Sequence, residues 1–170
     1  MKRIHFVCTG NVFRSRLAEA YCTRYIEEKR VDLKISSSGV LAEKNIPGPI
    51  AWYTNRISFH EDLIQFMKVS WDQTTAQMLE SADLIVFMEE YHFNWCQDHL
   101  GYKKENYEIW NIPDTFGTES PSSAILAIPD LTHQQKIDLG VIQKTDETYD
   151  LLKQKCQRLI LPLPRDRNQI

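Results

Sequence analysis

Within residues 1–39 the hydrophobic period changes twice, and that change decides the fold class. Ile4-His5-Phe6-Val7 is a short run in which apolar positions nearly touch, as in a strand covered on both faces. A polar, glycine-containing stretch from Cys8 to Arg14 interrupts it. Leu17, Tyr21 and Tyr25, with Ala18, Cys22 and Ile26, then recur four apart, which is one apolar stripe of a helix from about Ser15 to Lys29. Leu33-Lys34-Ile35-Ser36-Ser37 reads as a second strand closed by Ser38-Gly39. Strand, helix, strand at this spacing is a βαβ unit, which crosses over right-handed into a parallel sheet.

The remainder continues the alternation. Val40 to Asn55 reads as irregular, with Pro47-Gly48-Pro49 as its breaker. Phe59, Leu63, Phe66 and Met67 predict a second helix, Thr74 to Glu80 a short capped one, and Asp83 to Met88 a buried strand. Glu89 to His99 is expected to be helical and Tyr107 to Trp110 a fourth strand. After a loop from Ile112 to Ser123, the positions Ile142, Thr145, Tyr149, Leu152, Cys156 and Leu159 mark a last helix, stopped by Pro162 and Pro164. The expected architecture is α/β: a four-stranded parallel sheet with helices on both faces, doubly wound, forming one domain over residues 1–164 with a frayed tail at 165–170. Sites in such sheets form at the carboxyl ends of strands, here Cys8, Ser37, Met88 and the stretch from Ile112 to Asp114.

Charge and cysteine usage narrow the function classes. Twenty basic against 23 acidic residues give a net charge of −3, which argues against a nucleic-acid partner. No apolar run approaches the roughly 20 residues of a spanning helix, so no membrane partner is expected. The apolar run after Met1-Lys2-Arg3 stops too soon for a signal peptide, and a cytoplasmic location follows as the expectation. Cys8, Cys22, Cys96 and Cys156 form no CxxC pair and the histidines no HExxH, so neither a metal nor another cofactor is expected, and the thiols are read as free.

The chemistry concentrates in Cys8-Thr9-Gly10-Asn11-Val12-Phe13-Arg14-Ser15. A seven-residue arc from Cys8 to Arg14 can curl so that its backbone N–H groups, through Thr9, Gly10, Asn11, Val12 and Phe13, converge on one tetrahedral oxyanion. The helix that follows adds its own N–H groups and the positive end of its dipole. Arg14 can close the ring with a planar fork on two phosphate oxygens. The same field favours a thiolate at Cys8, aimed at the anion as a phosphoryl-transfer nucleophile must be. Gly10 permits the turn, and Ser15 can donate its hydroxyl to the thiolate. The plainer alternative, a buried strand-end cysteine and a solvated arginine, leaves the placement between strand and helix unexplained.

The loop and its context resemble the low-molecular-weight protein tyrosine phosphatase family, whose chains begin with V-C-x-G-N-x-x-R-S-x-x-A-E; here the segment runs Val7-Cys8-Thr9-Gly10-Asn11-Val12-Phe13-Arg14-Ser15-Arg16-Leu17-Ala18-Glu19. Ser37-Ser38-Gly39 is similar to the family's Ser-Ala-Gly, Ala82 to Glu89 to its Ala-Asp strand ending in Met-Asp or Met-Glu, and Pro113-Asp114-Thr115-Phe116-Gly117 to its late Pro-Asp-Pro-aromatic loop. The resemblance implies the phosphotyrosine phosphatase fold and a phosphocysteine mechanism, with a phosphorylated protein or a small aryl phosphate as substrate. It also implies that Asn11 and Ser37 brace the anion loop and that Phe116 walls the leaving group.

Expelling an alkoxide or phenoxide from phosphate requires a proton donor, and the second step requires a base to activate water. Asp114, at another carboxyl end of the sheet, is the expected acid and base, the work done by the matching family residue. A simple turn is the other reading of Pro113 to Gly117.

The chain departs from the family pattern at several places. Phe13 stands where many members carry a second cysteine, the family's loop tryptophan is replaced by Glu43, Lys44 and Asn45, and Thr115 replaces a proline. Thr118 to Gly140 is long and contains the apolar run Ala124 to Ile128, read as a surface excursion against the last helix or as a cover or contact surface. Val12, where family phosphoarginine phosphatases tend to carry threonine, favours aryl phosphates. Rival readings are a thiol-linked arsenate reductase, which needs further cysteines, and a non-catalytic phosphate-binding module, which has no use for both Cys8 and Asp114. An adaptor role rests only on Trp52, Tyr53, Trp71 and Trp95, expected to be exposed.

Overall fold

A computed structural model describes residues 2–45, 50–114 and 121–161. The sheet holds four parallel strands, β1 (Lys2–Cys8), β2 (Leu33–Gly39), β3 (Leu84–Phe87) and β4 (Tyr107–Ile109), in the order β2-β1-β3-β4. The helices are α1 (Arg14–Lys29), α2 (Trp52–His60), α3 (Ala76–Ser81), α4 (Glu90–Leu100), α5 (Ser123–Leu126) and α6 (His133–Ile160). Alternation along β1 explains the double winding. Ile4, Phe6 and Cys8 pack with Leu17 and Cys22 of α1 and with Leu152 and Cys156 of α6. Val7 points the other way, into a second core with Leu79 of α3 and Cys96 of α4. The expected fold class is therefore the observed one.

All four strands run the same way, so their carboxyl ends share one edge. Pairing continues past the strand ends: the N–H of Met88 donates to Val7 at 2.9 Å and that of Ile112 to Met88 at 2.8 Å. These bonds carry Glu89 and Asp114 to the end of β1. Gly39 lies opposite Cys8 in the register, and it is glycine for lack of space. A Cβ there would stand 2.6 Å from the Thr9 carbonyl oxygen and 2.7 Å from the Asn11 nitrogen.

Three sequence expectations need correction. The helix expected from Phe59 through Met67 is divided: α2 starts at Trp52, inside the stretch read as irregular, and ends at His60. Asp62 adopts a left-handed φ of 54°, and the Leu63 N–H turns back to the Ser58 carbonyl at 2.8 Å. That bond pattern ends a helix. A short 3-10 turn, Ile64–Phe66, follows.

The last helix begins at His133, well before Ile142. Thr132 and Gln135 form a reciprocal capping box, so part of the long insert is helix. Leu159 packs partly buried against the core, and Ile160, 2% exposed, joins it there. Within the insert, Ile125 of α5 is buried and α5 packs on α6, whereas Leu126 and Ile128 are exposed.

Of the four aromatics expected on the surface, Trp52 is exposed but Tyr53 is only 5% exposed, and Trp71 and Trp95 are half-buried. Pro47-Gly48-Pro49, Thr115 to Ser120 (with Phe116) and the tail from Pro162 lie outside the described residues.

Candidate active site

The loop between β1 and α1 is held from outside by its carbonyls. Those of Cys8 and Thr9 accept from the N–H groups of Val40 and Leu41, each at 2.9 Å. The Gly10 carbonyl accepts from the Asn45 amide, and that of Val12 from the Thr54 hydroxyl at 2.8 Å. In a trans peptide N–H and C=O point in opposite directions, so carbonyls held outward turn the N–H groups inward. The Asn11 N–H shows it directly, donating to Cys8 Sγ at 3.2 Å. Asn11 permits this curl by adopting a left-handed φ of 53°.

Behind the loop, a hydrogen-bonded brace fixes the sulfur. Ser15 Oγ lies 2.9 Å from Cys8 Sγ. The Asn11 amide donates to Ser15 Oγ at 2.9 Å and to Ser37 Oγ at 2.8 Å, and Ser37 donates to Glu19 at 2.6 Å. The Asn11 side-chain oxygen accepts from the Asp72 N–H at 2.9 Å. Every polar end in this buried cluster is engaged, as burial demands.

Arg14 opens α1 and is 2% exposed. Nη1 donates to Glu89 at 2.5 Å and to the Ile112 carbonyl at 2.7 Å. Nη2 donates to Asp114 at 2.7 Å and to Thr9 Oγ1 at 3.2 Å. The guanidinium thus joins the ends of β3 and β4 to the loop after β1, and its two carboxylate partners offset the charge that burial would otherwise penalise.

These groups enclose a cavity of about 280 Å³, lined by Cys8, Thr9, Gly10, Val12, Phe13, Arg14, Asn45, Tyr53 and Asp114. Phe13 and Tyr53 meet edge-on at 5.2 Å and give it an aromatic side. Burial, with the charge of Asp114 second, holds the Tyr53 phenol well above its ordinary range and therefore neutral.

The structure gathers Cys8, Thr9, Gly10, Val12, Phe13, Arg14 and Asp114 on one cavity, while Asn11, Ser15 and Ser37 lie behind it in the brace. Four further residues escaped the sequence reading: Asn45, Tyr53, Glu89 and His92. Glu89 and His92 had a usable signal, because their spacing of three at the start of α4 is that of a capping box, and the structure forms one. Asn45 carries no signal beyond its place in the stretch that replaces the family's tryptophan.

A doubly wound parallel sheet with a thiol in an anion-cradling loop, an arginine closing it and a carboxylate opposite defines a cysteine-dependent phosphoryl-transfer class. A family model for low molecular weight phosphotyrosine protein phosphatase matches residues 3–169, and the chain belongs to that family. It is 36% identical over 89 residues to a protein-arginine-phosphatase of Bacillus subtilis (strain 168), over 52% of this chain and 57% of that one, so the match spans little more than half the relative's length. It is 34% identical over 118 residues to an arsenate reductase of Bacillus cereus (strain G9842), covering 69% of this chain and 80% of the other. Among solved structures, a low molecular weight protein tyrosine phosphatase from Streptococcus pyogenes superposes with a TM-score of 0.70 at 19% identity, covering 98% of this chain and 95% of that one, which is a likeness of fold.

Proposed function

We propose that the chain hydrolyses phosphotyrosine or other aryl phosphomonoesters through a phosphocysteine on Cys8, within a single domain over residues 1–164. The observation that carries this reading is the convergence of Cys8 Sγ, the Arg14 guanidinium and the Asp114 carboxyl on one cavity, with the Asn11 N–H on the sulfur. The phosphate sits in the N–H cradle at the start of α1, where the dipole and Arg14 stabilise charge on its equatorial oxygens. The Cys8 thiolate attacks phosphorus, and an S–P bond forms as the bond to the leaving oxygen breaks. Asp114 gives that oxygen its proton. In the second step Asp114 takes a proton from water, the water oxygen attacks phosphorus, and the S–P electrons return to Cys8 with release of inorganic phosphate.

Aryl selectivity follows from the walls. Val12 offers no hydroxyl to a guanidinium phosphate, and Phe13 with Tyr53 gives a flat ring an aromatic side. Arsenate reduction would need a relay of thiols. Cys22 and Cys156 are fully buried in one core, and Cys96 is buried in the core on the other face of the sheet. A thiolate nucleophile with no disulfide among the described cysteines suits a reducing compartment, and we place the protein in the cytoplasm acting on a phosphorylated protein or small aryl phosphate.

The test compares Cys8→Ser with wild type on para-nitrophenyl phosphate, and wild type on phosphotyrosine and phosphoarginine peptides. The variant should lose roughly 10³-fold or more, since its nucleophile is gone. Wild type should form an S-phosphoryl adduct on Cys8, trapped by rapid denaturation at alkaline pH, and prefer phosphotyrosine. Turnover surviving in Cys8→Ser would sink the mechanism, and preference for phosphoarginine would sink the substrate assignment.

A further inference from the structure

The anion loop contains a side chain whose hydrogen bonding leads out of the loop to α4. Thr9 Oγ1 lies 2.9 Å from His92 Nε2, 3.2 Å from Arg14 Nη2 and 3.3 Å from Asp114 Oδ2. The protons on this network can be assigned. His92 Nδ1 accepts the Glu89 backbone N–H at 3.0 Å, so the neutral ring carries its proton on Nε2. Burial, and after it the charge of Arg14, push the His92 pKa down to about 3, so the ring stays neutral at working pH. His92 Nε2–H therefore donates to Thr9 Oγ1, and so does Arg14. With two donors on its lone pairs, the threonine hydroxyl has one proton left to place, and Asp114 Oδ2 receives it.

We propose that His92 is a positioning residue that, through the Thr9 hydroxyl, holds Asp114 for proton transfer to the leaving group. The inference rests on Asp114 being the general acid. A substrate phosphate draws the Arg14 fork toward its own oxygens, and the Thr9–Asp114 bond then keeps the carboxyl beside the cavity. His92 sets the direction of that bond without touching the substrate. It is 0% exposed and anchored at the first turn of α4, so the orientation comes from the rigid part of the fold.

Residue chemistry allows the two bonds of His92 to be separated. In His92→Gln the amide nitrogen falls near the place of Nε2 and can still donate to Thr9. In His92→Asn the amide oxygen falls near Nδ1 and keeps the α4 cap, while the reach to Thr9 is lost. Thr9→Val removes the hydroxyl at nearly constant shape, and Thr9→Ser keeps it. Each is assayed on phenyl phosphate, a poor leaving group that needs the proton, and on para-nitrophenyl phosphate, which hardly does.

His92→Asn and Thr9→Val should lower kcat on phenyl phosphate by roughly 10-fold or more, with a much smaller loss on para-nitrophenyl phosphate and KM little changed. His92→Gln and Thr9→Ser should keep the wild-type ratio between the substrates. Asp114→Asn, run alongside, should show the same skew more strongly. If Asp114→Asn is skewed but His92→Asn and Thr9→Val lose both substrates equally or neither, the positioning role is overturned and the acid stands. If Asp114→Asn itself loses both equally, the acid assignment is overturned and the positioning role with it. Should His92→Asn fail to fold, the threonine pair decides alone.

Discussion

Phe13 stands edge-on to Tyr53, ring centres 5.2 Å apart and planes at 89°, so the loop position that often carries a second thiol in this family is filled by an aromatic contact. Phe13 is 4% exposed and cannot capture an oxidised Cys8 as a disulfide. Cys22 is fully buried in the core that α1 shares with α6. A sulfenic acid formed on Cys8 by peroxide therefore has no neighbouring thiol in the loop with which to lose water. Reductant should restore wild type less completely than Phe13→Cys after equal peroxide exposure, as measured by recovered turnover. A Cys8–Cys22 disulfide found by mass spectrometry would remove the premise.

Arg14 serves four acceptors with two nitrogens, Glu89 and Ile112 on one side, Asp114 and Thr9 on the other. Lysine keeps the charge but not the fork. Arg14→Lys should lower kcat/KM on para-nitrophenyl phosphate by roughly 10²-fold and weaken competitive inhibition by vanadate. Unchanged kcat/KM and inhibition would mean that the planar geometry is not used.

His5, in the middle of β1, lies 2.7 Å from both Ser36 Oγ and Ser38 Oγ, and burial first, then the charge of Lys68, push its pKa down to about 4. The unfolded chain, with an ordinary value of about 6.5, binds a proton that the folded chain refuses. This contribution to stability is therefore complete above pH 6.5 and is lost as pH falls toward 4, to a total of about 3 kcal/mol. Urea denaturation at pH 7.5 and pH 4.5 should show a larger drop for wild type than for His5→Gln, which does not titrate. Equal drops would show that His5 is not the cause.

How far the sequence can be read depends on which physical signal each part carries. β1 and α1 announce themselves by period, because Ile4, Phe6 and Leu17 are buried for their apolarity alone. The start of α2 is hidden, because half of its buried face is polar: Thr54 and Ser58 sit beside Tyr53 and Ile57. Their hydroxyls are satisfied by the Val12 and Thr54 carbonyls, a pairing that no hydropathy pattern displays. The same blindness hid Tyr53 as a cavity wall. The early turns of α6 are largely exposed, so only their capping box, Thr132 with Gln135, betrays them. In the site, Cys8 and Arg14 were legible because they lie in one local loop. The partnership of Arg14 with Glu89 joins residues 75 positions apart, and that of Thr9 with His92 spans 83, so both exist only through the sheet.

The absence of space at Gly39 makes the second strand a gauge for the anion loop. Its backbone presses on Thr9, Gly10 and Asn11 when Gly39 stands opposite Cys8, and at no other alignment does glycine occupy that place. A one-residue slip of β2 would bring Ser38 or Val40 against the loop, and either side chain would push the cradle out of shape. Strand alignment and the capacity to hold an anion are thus acquired together, so a mispaired chain carries no residual site with which to act on phosphate.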